Sequence, residues 1–342
     1  MNRRLTWLLV ALLLIILAAH EIPRWYESQG ELRAALDIGS GATNLKIAKV
    51  DPKTNKIISQ IFDKSIPVPY QKHLEQSSNN TFDQEVMDQG LQAIKELKQV
   101  AEDHHVKKVI GVATAAFRQA ANAPQFAEKI ERETGVQVRI INQDEEGILA
   151  FRGALALTPA EPENTVVWDI GGGSMQLTTL TEAGTYLVEK GKTASIPFKN
   201  GIIEQIQHKN LNTVQSPNPM SDQEVQAALQ YAGRLALQTD PYVIEKIQSP
   251  GTQVLAAGSL FNYGILPLVS DKKVASAAEL EQAVKKMVSK TDAELPGGSL
   301  VEVAVSNPVL VLGYMQALQI PQVEVVKVNN ADGALTYPPY WE

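Results

Sequence analysis

The chain contains no cysteine in 342 residues, so there is no disulfide framework and no thiol to misoxidise, an absence that fits an oxidising compartment. Positive charge is also short: 31 Lys and Arg against 38 Asp and Glu, a formal net charge of −7. That balance argues against general nucleic-acid binding and against a broadly basic track for long polyanions. No short internal repeat and no low-complexity tract interrupts the chain. What is present is ordinary for globular protein, 44% apolar and 20% charged, at a length that allows two domains with a core each.

The N-terminus reads differently from the body. Arg3 and Arg4 precede a stretch from Leu5 to Ala19 that is apolar apart from Thr6. Such a run is a signal-peptide core or a short membrane anchor. Ala18-Ala19 offers small residues for cleavage, while Pro23, Arg24, Trp25 and Tyr26 form an interfacial belt after an uncleaved span. Residues 1–20 are therefore read as a signal anchor or signal peptide, and 21–32 as a linker. The flanking arginines place the body outside the cytoplasm. The expected location is the inner membrane, with one span and a periplasmic body. The alternative is a soluble periplasmic protein after cleavage.

In the body, strands are expected at Ala34–Ile38, Leu45–Asp51 and Lys56–Pro67, followed by a helix from Thr81 or Phe82 to about Asp103. Lys108–Ala113 and Val136–Asn142 read as strands, and Pro124–Glu133 and Asp144–Leu157 as helices. The proline-bearing stretch Thr158–Asn164 is the best seam, dividing lobe I (33–157) from lobe II (158–342). Beyond it, helical patterns at Ile202–His208, Asp222–Gln238, Ala277–Ser289 and Val309–Leu318 alternate with strands Gln253–Ala257 and Val323–Val328. This order predicts an α/β protein with mixed sheets flanked by helices.

Each lobe opens on the same device. Asp37-Ile38-Gly39-Ser40-Gly41-Ala42 and Asp169-Ile170-Gly171-Gly172-Gly173-Ser174 are glycine-rich turns between β-prone segments, each led by an aspartate at a strand end. Without side chains in the way, backbone N–H groups in such turns converge on an anion, and the aspartate can hold a cation beside it. Two similar turns suggest an internal duplication facing one phosphate-bearing ligand.

Four segments in this order resemble the exopolyphosphatase and guanosine pentaphosphate phosphohydrolase family: Asp37–Ser40, Val112–Asn122, Ile140–Gly147 and Asp169–Ser174. A fifth, Ala256-Ala257-Gly258-Ser259, is similar to a late glycine turn of that family. The resemblance spans about Ala34 to Leu335. It implies a duplicated ribonuclease H-like two-lobed fold, that of actin, Hsp70 and sugar kinases. It also implies hydrolysis of a terminal phosphoanhydride, of polyphosphate or a phosphorylated nucleotide, with a divalent metal, Mg²⁺ or alternatively Mn²⁺.

By the same resemblance Glu146 is the catalytic base, and Asp37 and Asp169 bracket the metal. Gly39, Ser40, Gly41, Gly171, Gly172, Gly173 and Ser174 cradle phosphate oxygens. Arg118 reads either as a bidentate phosphate clamp or as one side of a surface or inter-lobe salt bridge. Homodimerisation follows from family analogy alone.

This chain also departs from the family pattern. Gly41-Ala42 replace polar residues in the first turn, Ala116 stands where a hydroxyl is usual, and Gln176 stands where a carboxylate is usual. Asp332-Gly333 is expected as a turn, with Pro338 and Pro339 forbidding much of the helix that should follow. Those departures keep a second function open, a polyphosphate- or nucleotide-binding sensor at the membrane. A sugar-kinase function lacks a sugar-binding segment. His104-His105 reads as a solvated helix end, and Ser195 has no His/Asp arrangement around it.

Overall fold

The computed structural model describes residues 30–270 and 273–342. The apolar stretch Leu5–Ala19 and residues 1–29 generally lie outside the described residues. Strand β1 (Glu31–Ile38) forms an antiparallel hairpin with β2 (Ala42–Val50), in register from Glu31↔Val50 to Ile38↔Thr43. Because β2 runs on to Val50, residues 31 and 32 of the expected linker find partners and become strand. Strand β3 (Ile57–Pro67) lies outside β2, and β4 (Val109–Ala113) and β5 (Gln137–Ile140) add in parallel to β1. The first sheet is ordered β3-β2-β1-β4-β5.

The second sheet repeats this plan. Strands β6 (Thr165–Ile170), β7 (Met175–Leu180) and β8 (Tyr186–Lys190) form the antiparallel meander. Strand β9 (Gln253–Ala257) pairs in parallel with β6 and with β11 (Gln322–Val325), and β10 (Val274–Ser276) caps the edge. Read outward from the meander, 8-7-6-9-11 matches 3-2-1-4-5, with β10 added. The central strands β4 and β6 are buried at every residue, as parallel strands covered on both faces must be. The architecture is the duplicated ribonuclease H-like fold of actin, Hsp70 and sugar kinases.

Lobe I carries α1 (Tyr70–Gln76), α2 (Gln84–Asp103), α3 (Ala115–Gln119) and α4 (Ala123–Thr134). Helix α2 begins at Gln84 and not at Thr81 or Phe82, because the Asp83 side chain accepts from the Val86 N–H and caps it. After α5 (Gln143–Ala156), lobe II carries α6 (Ser195–Gly201), α7 (Asp222–Ala236), α8 (Pro241–Gln248), α9 (Ala277–Met287) and α10 (Ser306–Leu318). Leu300–Leu318 is long and apolar enough to cross a membrane by composition, yet 67% of it is buried. Its residues Leu310, Leu312 and Tyr314 pack with Trp168 and Phe261 in the lobe II core.

Two helices trade places between the lobes. Helix α5 lays Ala150, Phe151 and Ala154 on Val167, Leu255 and Ala257 of the second sheet. The last helix, α11 (Asn330–Thr336), lays Ala331, Ala334 and Leu335 on Ala35, Ile110 and Val112 of the first. Residues 330–342, expected in lobe II, thus complete the core of lobe I, joined there by Tyr340. Asp332-Gly333 is not a free turn either. It lies inside α11, where a Cβ on Gly333 would stand 1.9 Å from the Leu149 carbonyl oxygen of α5. The helix stops at Thr336, short of Pro338 and Pro339.

Candidate active site

The two glycine turns close in the same way. The Gly39 N–H donates to the Ala42 carbonyl at 2.9 Å, and the Gly171 N–H to the Ser174 carbonyl at 2.9 Å. Each turn also receives a helix start, the Gln71 N–H on the Ser40 carbonyl and the Ile196 N–H on the Gly172 carbonyl, both at 2.9 Å. Matching atoms therefore do matching work in the two lobes. The turns face one another. A Cβ on Gly172 would lie 3.7 Å from the Ser40 Cβ, and one on Gly173 would lie 3.6 Å from Ser40 Oγ and 3.2 Å from Ala115. Ser40, Gly172 and Gly173 thus come together, with open space beside Gly41, while Gly39 and Gly171 spend their N–H groups closing the turns.

Three carboxylates converge here. Glu146 sits in the first turn of α5, whose N-terminus is capped by Asn142 accepting from the Glu145 N–H. Its Oε1 accepts from Ser174 Oγ at 2.9 Å, and its Oε2 lies 2.7 Å from Arg118 Nη1. Arg118 also donates to the Ile141 carbonyl at 3.0 Å. This ion pair places the guanidinium in the same site as Glu146. Burial pushes Glu146 above the usual carboxylate range, while Arg118, Ser174 and Gln176 oppose the shift.

Asp37 and Asp169 are buried at the ends of β1 and β6. Burial, then the charge of Glu146, pushes Asp37 up to about 7. Burial, then Glu146 and Asp37, pushes Asp169 up to about 8. Like charges facing one another in a dry site resist ionisation, and a cation would relieve them. Asp37 Oδ1 is buried without a hydrogen-bond partner, which also suits a ligand still to be bound. Among the described residues no three acidic or histidine side chains form a metal cage. A Mg²⁺ site needs only one or two carboxylates beside water and phosphate oxygens, so Asp37 and Asp169 fit a divalent cation.

Other sequence motifs find definite places. Gly258 has φ +91°, and a Cβ there would stand 2.3 Å from Asp169 Oδ1, so this late glycine turn admits the aspartate. Ser195 spends its hydroxyl on Asn307 at 2.6 Å, and His104 packs its ring on Phe62 at 5.0 Å. Asn330 was not legible in the sequence. At the start of α11 its side chain and backbone N–H both favour the ionised form of Asp37, a contact made only because the chain returns to lobe I.

Comparison with known proteins agrees with this architecture. The Aquifex aeolicus PPX-GPPA enzyme superposes with a TM-score of 0.69 at 19% identity, over 89% of this chain and 98% of that one. A Cytophaga hutchinsonii exopolyphosphatase gives 0.68 at 17% identity, over 89% and 96%. These likenesses are of fold. A bifunctional 3-dehydroquinate synthase/phosphatase of Fusobacterium nucleatum is 31% identical over 153 residues, 43% of this chain and 23% of that protein. The chain thus accounts for less than a quarter of that relative's length. The family match itself runs through residues 47–333, almost the whole described body, and on that extent the chain belongs to the Ppx/GppA phosphatase family.

Proposed function

We propose that the chain hydrolyses terminal phosphoanhydride bonds, releasing orthophosphate from polyphosphate or a related phosphorylated nucleotide. The observation that carries this reading is Glu146, a buried carboxylate held by Ser174 and Arg118 beside two facing glycine turns. On this reading Ser40, Gly41, Gly172, Gly173 and Ser174 cradle the terminal phosphate. Arg118 presents its remaining N–H groups to phosphate oxygens. Glu146 orients water and accepts its proton as the water oxygen bonds to phosphorus. The bridging P–O bond then breaks, and the shortened chain leaves with its electron pair. Asp37 and Asp169 would hold Mg²⁺ or Mn²⁺, which when bound neutralises charge on the phosphate chain.

The test is phosphate release from short and long polyphosphate with Mg²⁺ or Mn²⁺. Glu146→Gln keeps size but removes the proton acceptor, so turnover should fall about 10²–10⁴-fold with binding retained. Equal rates in wild type and variant, or none in either, would overturn the hydrolase reading. One observation favours the second reading, a polyphosphate- or nucleotide-binding sensor without turnover: the 2.7 Å ion pair already occupies Glu146. Binding without phosphate release would select it.

The N-terminal segment supports a matching location. Arg3 and Arg4 before Leu5–Ala19 favour an inner-membrane anchor with the body in the periplasm, or a soluble periplasmic body if the segment is cleaved. A reporter fused after Glu342 should be active only outside the cytoplasm, and activity confined to the cytoplasm would exclude both.

A further inference from the structure

Gln176 looks at Glu146 from the neighbouring strand. It pairs directly with Asp169 across β6 and β7, so both side chains leave the same face of the sheet. Gln176 is 1% exposed; its amide lies against Glu146 and favours the ionised carboxylate, yet neither its Oε1 nor its Nε2 meets a partner at full hydrogen-bond geometry. A buried amide so incompletely bonded is costly. In a native interior such an orphan marks a place where water or a ligand completes the bonds. The chemistry of the gap says which. Glu146 already accepts from Ser174 on one oxygen and faces Arg118 with the other. An attacking water has two O–H bonds, and Glu146 needs to receive only one of them. A neutral amide oxygen can take the other without adding negative charge against the incoming phosphate.

We propose that Gln176 is a catalytic residue of the hydrolysis, its Oε1 accepting one O–H of the attacking water while Glu146 accepts the other; this rests on the hydrolase reading above. The two acceptors orient the water so that one of its two lone pairs points at phosphorus. That lone pair forms the new bond to phosphorus, Glu146 takes the proton, and the bridging oxygen departs with the electrons of the broken P–O bond. Gln176 keeps its own protons throughout. Its Nε2 is free to donate to Glu146 or to a phosphate oxygen. The role resembles that of the glutamine that orients water in small GTPases.

Gln176→Met removes both amide atoms and keeps an unbranched side chain of similar length. With polyphosphate and Mg²⁺, kcat should fall about 10²-fold, the size of effect seen when one positioned amide contact is deleted. KM, polyphosphate affinity and the circular dichroism spectrum should stay as in wild type, because the contact is made to the water and not to the chain. Gln176→Glu restores an acceptor oxygen and should recover part of kcat. If wild type turns over and Gln176→Met matches it, the proposal fails while the hydrolase reading stands. If Gln176→Met loses binding and thermal stability together, and Gln176→Glu recovers no turnover, the amide is structural and the proposal again fails. If wild type releases no phosphate with Mg²⁺ or Mn²⁺, both fall.

Discussion

Gly333 of helix α11 meets Leu149 of helix α5 so closely that a Cβ would stand 1.9 Å from the Leu149 carbonyl oxygen and 2.5 Å from its carbonyl carbon. This contact joins the helix that carries Glu146 to the one that carries Asn330, and it lies where the lobes exchange helices. The obstacle is helix backbone, which cannot rotate away as a side chain could.

Gly333→Ala should therefore unfold the protein early, with a loss of about 3 kcal/mol or more, at the upper end of overpacking costs. Gly233→Ala is the contrast. Within α7 its new Cβ would meet nothing nearer than 3.8 Å, and removing a mid-helix glycine should be neutral or stabilising by about 0.5–1 kcal/mol. Thermal melts of the two variants check the pair. Equal melting temperatures would mean that the helices move apart freely.

A second expectation concerns the gap between the turns. Gly172 has no left-handed backbone requirement, and its added Cβ would clear Ser40 at 3.7 Å. Gly172→Ala should therefore fold and bind nearly as wild type does. Gly172→Val adds methyl groups toward Ser40, in the space proposed for phosphate oxygens. Polyphosphate affinity should drop at least tenfold, on the order of 1.4 kcal/mol, with the circular dichroism spectrum unchanged. Undiminished binding in a folded Gly172→Val protein would show that the turn is structural.

The third concerns pH. Asp37 and Asp169 are raised from an ordinary 3.8 to about 7 and about 8. The folded protein thus holds protons that the unfolded chain has already released. The resulting stability is complete below the unfolded value and is lost as pH rises through the folded values. Without metal, the melting temperature should decline from about pH 4 to about pH 8. Mg²⁺ binds the ionised carboxylates, so it should add little at the acid end and more at the alkaline end. Asp169→Asn should flatten both dependences. A metal-free melting temperature that rises over this range, or a Mg²⁺ effect independent of pH, would contradict the assignment.

What was legible from sequence in this protein is what local chemistry encodes. Alternation at 34–38 and 45–50 with glycines between specifies a hairpin, and its turn places an aspartate at a strand end; 166–180 repeats the specification. Helix starts depend on caps a few residues away, such as Asp83 and Asn142. The tertiary structure alone decided the rest. The exchange of α5 and α11, the approach of Asn330 to Asp37 and the pairing of Arg118 with Glu146 join segments whose separation leaves no periodic signal. Such contacts depend on how two twisted sheets present their faces, and one sequence records the faces without recording which helix covers them. Gln176 belongs to both levels: the sequence shows the amide, but only packing buries it beside a carboxylate with both ends short of full hydrogen-bond geometry.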